Sequence, residues 1–144
     1  MSLVNKLLEG KELWNVSPND TVFEAIRLMD EKGTGALMVV DAGKLVGIIS
    51  ERDYARKVIL KDKSSKNTLV KEIMTSRVVV ANPDQAANEI LAVMHHNHIR
   101  HLPVKDKDKL LGMVSMEDVV SDIIHDQKDK IKELEHYVTW EEAY

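Results

Sequence analysis

The chain of 144 residues contains no cysteine, which excludes disulfide bonds and thiolate chemistry. No apolar run approaches the roughly 20 residues that a bilayer-spanning helix needs, and the N-terminus lacks the long apolar core of a signal peptide. The formal net charge is -4 without a block of like charge, so nucleic-acid binding through clustered lysine and arginine is not expected. These absences predict a cytoplasmic protein without nucleic-acid or membrane partners.

The chain does contain one pattern twice. Residues 18–53 align with residues 83–118 at a constant offset of sixty-five residues without a gap, and eleven of the aligned pairs are identical. One repeat unit rarely buries its apolar face alone. The duplication therefore predicts a pseudo-twofold pair of copies, residues 1–70 and residues 71–144, with clefts where the copies meet. The identities include Pro18/Pro83, Met29/Met94, Leu37/Leu102, Val39/Val104, Asp41/Asp106, Gly47/Gly112, Ser50/Ser115 and Asp53/Asp118.

Hydrophobic periodicity and turn residues predict the order β-α-β-β-α in each copy, and hence an α+β fold. A polar linker at 61–68 joins the copies. The first copy has predicted strands at 13–16, 36–40 and 45–49, a capping segment at 17–20, a helix from 22 to 32, a turn at 41–44 and a second helix from 50 to about 60. The second copy has predicted strands at 78–81, 102–105 and 110–114, a helix at 84–97, a turn at 106–109 and a last helix from 115.

The last helix is predicted to extend far beyond its counterpart, because an apolar stripe continues at spacings of three and four. Such a stripe needs a covering surface. It could fold back onto Leu3, Leu7 and Leu8, or it could pair with a second chain, and we expect a homodimer while keeping both alternatives open. The stripe consists of Val120, Ile123, Ile124, Gln127, Ile131, Leu134 and Val138.

A Ser-x-x-Asp pair follows the third predicted strand of each copy, as Ser50 with Asp53 and as Ser115 with Asp118. The local interpretation is a helix cap, in which serine and an acidic residue initiate the helix. The functional interpretation is a binding site, since a helix N-terminus suits an anionic group. An ionised aspartate there can also accept hydrogen bonds from two adjacent hydroxyls, as on a ribose. Recurrence of the pair in both copies favours the functional interpretation.

With these motifs, residues 12–125 resemble a tandem pair of cystathionine-β-synthase (CBS) domains, also called a Bateman module. The segments that carry the resemblance are GIISERD and GMVSMED, at 47–53 and 112–118. IRHLPV at 99–104 matches the strand entry of the family, and KEIMT at 71–75 matches the usual start of a second copy. The chain is similar to small stand-alone bacterial proteins that consist of little beyond the pair.

The resemblance implies a non-catalytic sensor that reversibly binds an adenosine-containing ligand, such as AMP, ADP, ATP, NAD or S-adenosylmethionine, between the copies. It implies no obligatory cofactor, and it implies that the regulated protein is another polypeptide, which the sequence does not identify. In the implied pocket, Asp118 would hold the ribose hydroxyls and backbone groups at 34–36 would read the adenine edge. Arg100, His101 and Ser115 would face phosphate. The full set is Ser17, Thr34, Gly35, Ala36, Arg100, His101, Ser115 and Asp118.

A symmetry-related pocket would use Ser50, Asp53, Ala81, Ile99 and Arg100. The two pockets are not equivalent, because Gly35 and Ala36 occupy the positions that Arg100 and His101 hold in the second copy. Met38 likewise stands where the second copy has Pro103. The Asp118 pocket is therefore expected to be the principal site, unless Arg52, Arg56 or Lys57 compensates.

Other interpretations are weaker. A structural dimerisation module with degenerate pockets is the main alternative, and the apolar stripe favours it. An enzyme acting on nucleotides has no supporting nucleophile–base pair. A metal site on His95, His96, His98 and His101 has poor spacing, since adjacent helical residues diverge by about 100°. Trp14 and Trp140 are interpreted as packing residues.

Overall fold

The computed structural model describes residues 3–142, with side chains described for residues 3–136. Two sheets with flanking helices form two halves, one per copy, which confirms the predicted α+β fold. Among the described residues, no helix is both long and apolar enough to cross a bilayer. The elements are α1 (Val4–Leu7), β1 (Asn15–Val16), α2 (Val22–Lys32), β2 (Ala36–Asp41), β3 (Lys44–Ser50), α3 (Glu51–Tyr54), a π-helical turn (Ala55–Ile59), α4 (Val70–Ile73), α5 (Ala87–Asn97), β4 (His101–Asp106), β5 (Lys109–Ser115) and α6 (Met116–Glu142).

The start of α2 differs from the prediction, which placed the cap within 17–20. Thr21 is the N-cap and forms a capping box with Glu24, so two free backbone N–H groups are satisfied reciprocally. Asp20 instead accepts a hydrogen bond from the Ser17 N–H at 2.8 Å. The predicted end is confirmed, because Gly33 terminates the helix with a φ of 65°.

Each copy contributes a hairpin, β2–β3 in the first and β4–β5 in the second, in the predicted positions. In the first, Ala42 and Gly43 have φ values of 50° and 77°, the pair of positive angles that a two-residue type I′ turn requires. The first four residues of β2 are all buried. The hairpins therefore form the inner layer of both halves, and the helix after each hairpin begins at its Ser-x-x-Asp segment.

The predicted strand at 78–81 is wrong, because only an isolated parallel bridge between Ala81 and Val104 forms. The Ala81 N–H donates to the Pro103 carbonyl at 2.8 Å, and the Lys105 N–H donates to the Ala81 carbonyl at 2.9 Å. Extending this ladder toward the N-terminus would need an N–H at position 103, which proline lacks. Met38 stands at the equivalent position of the first copy and pairs with Asn15 in β1.

Each half is completed by a short helix from outside its own repeat. The first core contains Val70 and Ile73 of α4, which lies after the linker. The second core contains Val4 of α1, with Leu7 and Leu8 packed against it. The two helices are thus exchanged between the halves, while the division at residue 70 in sequence stays a prediction.

The first turns of α6 pack within the second half, where Val119 is buried and Ile123 is partly buried beside Leu7 and Leu8. Of the apolar stripe, the chain itself thus partly covers Ile123, whereas Val120 and Ile124 remain 37% and 49% exposed. Ile131 and Leu134 remain 52% and 66% exposed. Val138 lies outside the residues whose side chains are described. The predicted homodimer remains a prediction that would cover the exposed part.

Candidate functional site

A cleft of about 540 Å³ lies between the two halves. Its walls are the loop after α2, the start of β4, the junction of β5 with α6, and the segment before β1. Of the predicted principal site, only Ser17 is not among the lining residues. The structure brings together Thr34, Gly35, Ala36, Arg100, His101, Ser115 and Asp118.

Asp118 lies in the first turn of α6, and the cap geometry orients its carboxylate. The Ser115 N–H donates to Asp118 Oδ2 at 2.8 Å, and the Asp118 N–H donates to Ser115 Oγ at 3.1 Å. Lys11 Nζ also donates to Oδ2 and forms an ion pair with it. Burial alone would raise the pKa of Asp118, but the hydrogen bonds from Lys11 and Ser115 outweigh it and lower the pKa. The cleft thus contains a fixed, ionised carboxylate.

The opposite wall is the loop from Gly33 to Ala36, which brings the backbone close to the second half. Thr34 Oγ1 donates to the Ala36 carbonyl at 3.1 Å, and the Glu51 N–H donates to the Gly35 carbonyl at 3.0 Å. A Cβ at Gly35 would lie 3.5 Å from His101 Cε1. That distance is an ordinary van der Waals contact, so the two walls of the cleft already lie close together at this position.

Charge of both signs surrounds the cleft. Lys32 Nζ lies 5.6 Å from the centroid of the Trp14 ring, and Trp14 Nε1 donates to Glu12 Oε2 at 2.8 Å. Arg100 is exposed, so its guanidinium is available to solvent or to a ligand. The cationic lining residues are Lys11, Lys32 and Arg100, and the acidic ones are Glu12, Glu117 and Asp118.

His101 contributes a neutral imidazole to this lining. Burial is the largest influence on its pKa and lowers it, Asp118 opposes that effect, and the nearby charges of Lys11 and Arg100 lower it further. The net pKa lies below the ordinary value. At neutral pH the ring is therefore available as a hydrogen-bond donor and acceptor without adding charge.

The lowered pKa of His101 predicts a stability loss on acidification. The unfolded chain binds the proton more readily, so stability falls as pH drops below about 6.5 and continues to fall until the folded pKa is passed. Urea unfolding at intervals between pH 7.5 and 5 should show a smaller decline for His101→Asn than for wild type. Identical slopes in the two proteins would contradict the prediction.

The residues of the predicted second pocket have a different environment. Asp53 is 8% exposed, and its Oδ2 accepts the Ser50 N–H at 3.0 Å. Its Oδ1 pairs with Lys57 Nζ at 3.0 Å and accepts the Thr75 hydroxyl at 3.4 Å. Lys57 Nζ also donates to the Ile73 carbonyl at 2.9 Å. The carboxylate is therefore saturated by protein groups.

Two further residues of the predicted second pocket belong to the hydrophobic core of the second half. Ala81 is buried in the second core, and Ile99 packs against the same core. Of the cations considered as compensating, Lys57 pairs with Asp53, whereas Arg52 Nη1 donates across to the His98 carbonyl at 3.0 Å. Ligand binding at Asp53 stays a prediction.

Several cleft residues were not identified from the sequence. The segment before β1 enters the cleft because α1 docks on the opposite half and carries the chain past it. Trp14 both packs against the first core, as interpreted, and lines the cleft. The residues that the sequence reasoning missed are Lys11, Glu12, Trp14, Gly33, Lys32, Met38, Met113, Val114, Met116 and Glu117.

The histidines do not converge on a common point. His95, His96 and His98 are exposed at the end of α5, and only His101 lines the cleft. Within the described part of the chain, no group of three histidine, aspartate or glutamate side chains is placed to hold a metal ion.

Comparison with known proteins agrees on one family. The sequence model described as CBS domain matches residues 10–60 and 70–125. A mitochondrial CBS domain-containing protein of Arabidopsis thaliana is 37% identical over 143 residues, covering 96% of this chain and 69% of that protein. A solved CBS-domain protein of Burkholderia ambifaria is 46% identical with a TM-score of 0.83, over 88% of this chain and 96% of that one.

A third relative was solved with ligands. The CBS domain pair of protein MJ0100, in complex with 5′-methylthioadenosine and S-adenosyl-L-methionine, is 29% identical to this chain with a TM-score of 0.76. The similarity covers 88% of this chain and 98% of that one. The ligands of MJ0100 are both adenosine compounds.

Proposed function

The chain belongs to the CBS-domain family as a tandem pair, and on that premise we propose that it is a non-catalytic sensor that binds an adenosine-containing ligand in the cleft. The ligand class comprises AMP, ADP, ATP, NAD and S-adenosylmethionine. The resemblance that rested on the two Ser-x-x-Asp segments is thereby confirmed at the level of the family.

The arrangement around Asp118 carries the proposal. An ionised carboxylate at a helix N-terminus stands in a cleft between the halves, where it can accept two hydrogen bonds from a ribose diol. The volume of about 540 Å³ falls within the roughly 300–1,000 Å³ of small-molecule sites. Gly35 of the other half lies beside His101 and lines the same cleft as Asp118, so one ligand would contact both copies.

The remaining lining residues suit the other parts of such a ligand. The backbone from Thr34 to Ala36 would face the adenine, and the Trp14 ring offers an aromatic surface beside it. Arg100 would pair with phosphate, while His101 and Ser115 would donate neutral hydrogen bonds to it. A ligand that bridges the halves shifts their equilibrium only by its differential affinity for the two arrangements, and this shift would alter the surface that a partner protein contacts.

A second candidate is a structural module that acts through dimerisation. The exposed stripe on α6, with Ile131 at 52% and Leu134 at 66% exposure, favours it. A homodimer that covers this stripe is compatible with ligand binding in the cleft. The cytoplasm remains our expectation for the location of the protein.

Calorimetric titration of the purified chain with AMP, ATP, NAD and S-adenosylmethionine tests the proposal. We expect at least one of them to bind with one principal site per chain, and to raise the melting temperature with the logarithm of its free concentration by mass action on the folded state. Adenine-free analogues such as ribose 5-phosphate serve as controls and should bind far more weakly. No heat and no thermal shift with any of the four would refute adenosine binding and leave the dimerisation module.

A further inference from the structure

The carboxylate assigned to the ribose is already occupied by a side chain of the protein. Lys11 Nζ donates to Asp118 Oδ2, the same oxygen that accepts the Ser115 N–H. A ribose diol would have to displace Lys11 or share the carboxylate with it. The energetic cost of ligand binding therefore depends on where the Lys11 ammonium goes.

The position of Lys11 allows its side chain to move. Lys11 follows Gly10, which has a φ of 75° and ends the turn after α1. The backbone N–H of Lys11 donates to the Leu8 carbonyl at 3.1 Å. The side chain of Lys11 is 37% exposed, so only its head group is held, by the carboxylate. Its backbone is anchored through α1 in the second core, and the ammonium therefore stays beside the cleft when it leaves Asp118.

We propose that Lys11 selects phosphorylated over unphosphorylated adenosine ligands, by guarding Asp118 in the empty cleft and pairing with phosphate in the occupied one. The inference rests on the proposed function and assigns a specificity role to a residue outside the two repeated segments. This role concerns the phosphate charge of the ligand, which the contacts of Asp118 and of the adenine-facing backbone do not distinguish.

The physical basis is a difference in what replaces the ion pair. When a neutral nucleoside binds to Asp118, it displaces the Lys11 ammonium and provides no new anionic partner for it. The ion pair between Lys11 and Asp118 is then lost without compensation. A nucleotide offers a phosphate as a new partner, and the ammonium exchanges one charge-assisted contact for another. Arg100 strengthens the preference, since it lines the same cleft and carries the same sign.

Adenosine and AMP form the matched probe pair, because they differ only in the phosphate. In Lys11→Met, which retains the aliphatic stem, adenosine should bind several-fold more tightly since no ammonium competes for Asp118. AMP should bind within about threefold of wild type, because the variant loses the phosphate contact but no longer gives up an ion pair to free Asp118. The ratio of AMP affinity to adenosine affinity thus falls through tighter adenosine binding, which a general loss of fold or of positive charge would not produce.

Two control variants complete the experiment. Lys61→Met removes the same charge from the exposed linker and should leave both affinities within about twofold of wild type. Lys11→Arg keeps the charge and should keep the preference for AMP. The measurement is calorimetric titration of each variant with both compounds, with the melting temperature recorded as a check of folding.

The outcomes separate the inference from the function on which it rests. If wild type binds AMP and Lys11→Met leaves the ratio of AMP affinity to adenosine affinity unchanged, the selector role is refuted and the adenosine site stands. If wild type binds neither compound, the adenosine site itself is refuted, and the selector role with it. A several-fold lower ratio of AMP affinity to adenosine affinity in Lys11→Met, with an unchanged ratio in Lys61→Met, supports both.

Discussion

Asp118→Asn is expected to lower the affinity for AMP by about 10- to 100-fold. The carboxylate can accept hydrogen bonds from both ribose hydroxyls, whereas the amide has a single acceptor oxygen and turns a donor toward the second hydroxyl. A hydrogen bond to a charged group contributes roughly 1.5–3 kcal/mol, and each 1.4 kcal/mol corresponds to about tenfold in affinity. Calorimetric titration measures the loss directly. The asparagine amide oxygen can still accept the Ser115 N–H, so the start of α6 should be preserved.

Asp53→Asn is the matched control in the other copy, at the same position of the same motif. We expect AMP affinity within about twofold of wild type, because Asp53 is saturated by Ser50, Lys57 and Thr75. Thermal stability should instead fall, since the buried side chain at position 53 loses its charge and its ion pair with Lys57. Equal loss of affinity in the two variants would contradict the assignment of the principal site to Asp118.

Ile73→Ala is expected to destabilise the whole protein by about 2–5 kcal/mol. Ile73 is 1% exposed and fills the first core from α4, although it follows the linker in sequence. Truncation removes buried methyl groups and leaves a cavity, and both effects reduce the free energy of unfolding. Urea denaturation followed by far-ultraviolet circular dichroism measures the change.

Ile59→Ala provides the comparison, since it makes the same chemical change at a side chain that is 58% exposed. Its effect should stay within about 0.5 kcal/mol. If the two alanine variants lost equal stability, Ile73 would not fill the core as described. A single unfolding transition in Ile73→Ala would further indicate that the exchanged helices make the two halves cooperative.

Much of the fold could be predicted because the determining signals are local. The apolar run of β2 and the turn residues Ala42 and Gly43 specify a hairpin, and its counterpart follows by the repeat. The helix stop at Gly33 was predictable for the same reason. The prediction that was wrong, a strand at 78–81, depended on a non-local fact: the neighbouring strand has Pro103 where an N–H donor was needed.

The site was predicted in part, for a related reason. The repeat from residue 18 onward nominated Ser115 and Asp118, and the family resemblance over 12–125 added Arg100 and His101. Neither included the segment that contains Lys11. A signal for that segment exists in the sequence. LVNKLL at 3–8 resembles LVKEIM at 69–74, but at an offset one residue longer than that of the rest of the repeat. An alignment at the constant offset of sixty-five residues therefore does not reveal that α1 and α4 correspond to each other in the two copies.

The exchange of α1 and α4 has a consequence for the origin of the chain. A protein made of one copy would carry a short helix that its own core cannot use and would lack the helix that its core needs. Two such proteins could form a domain-swapped dimer, in which the first helix of each chain packs into the core of the other. Tandem duplication would place both copies on one polypeptide. The linker at 61–68 would then keep each exchanged helix at a high effective concentration near the core into which it packs. In such a duplicated chain, a contact that two separate molecules would make becomes an intramolecular one.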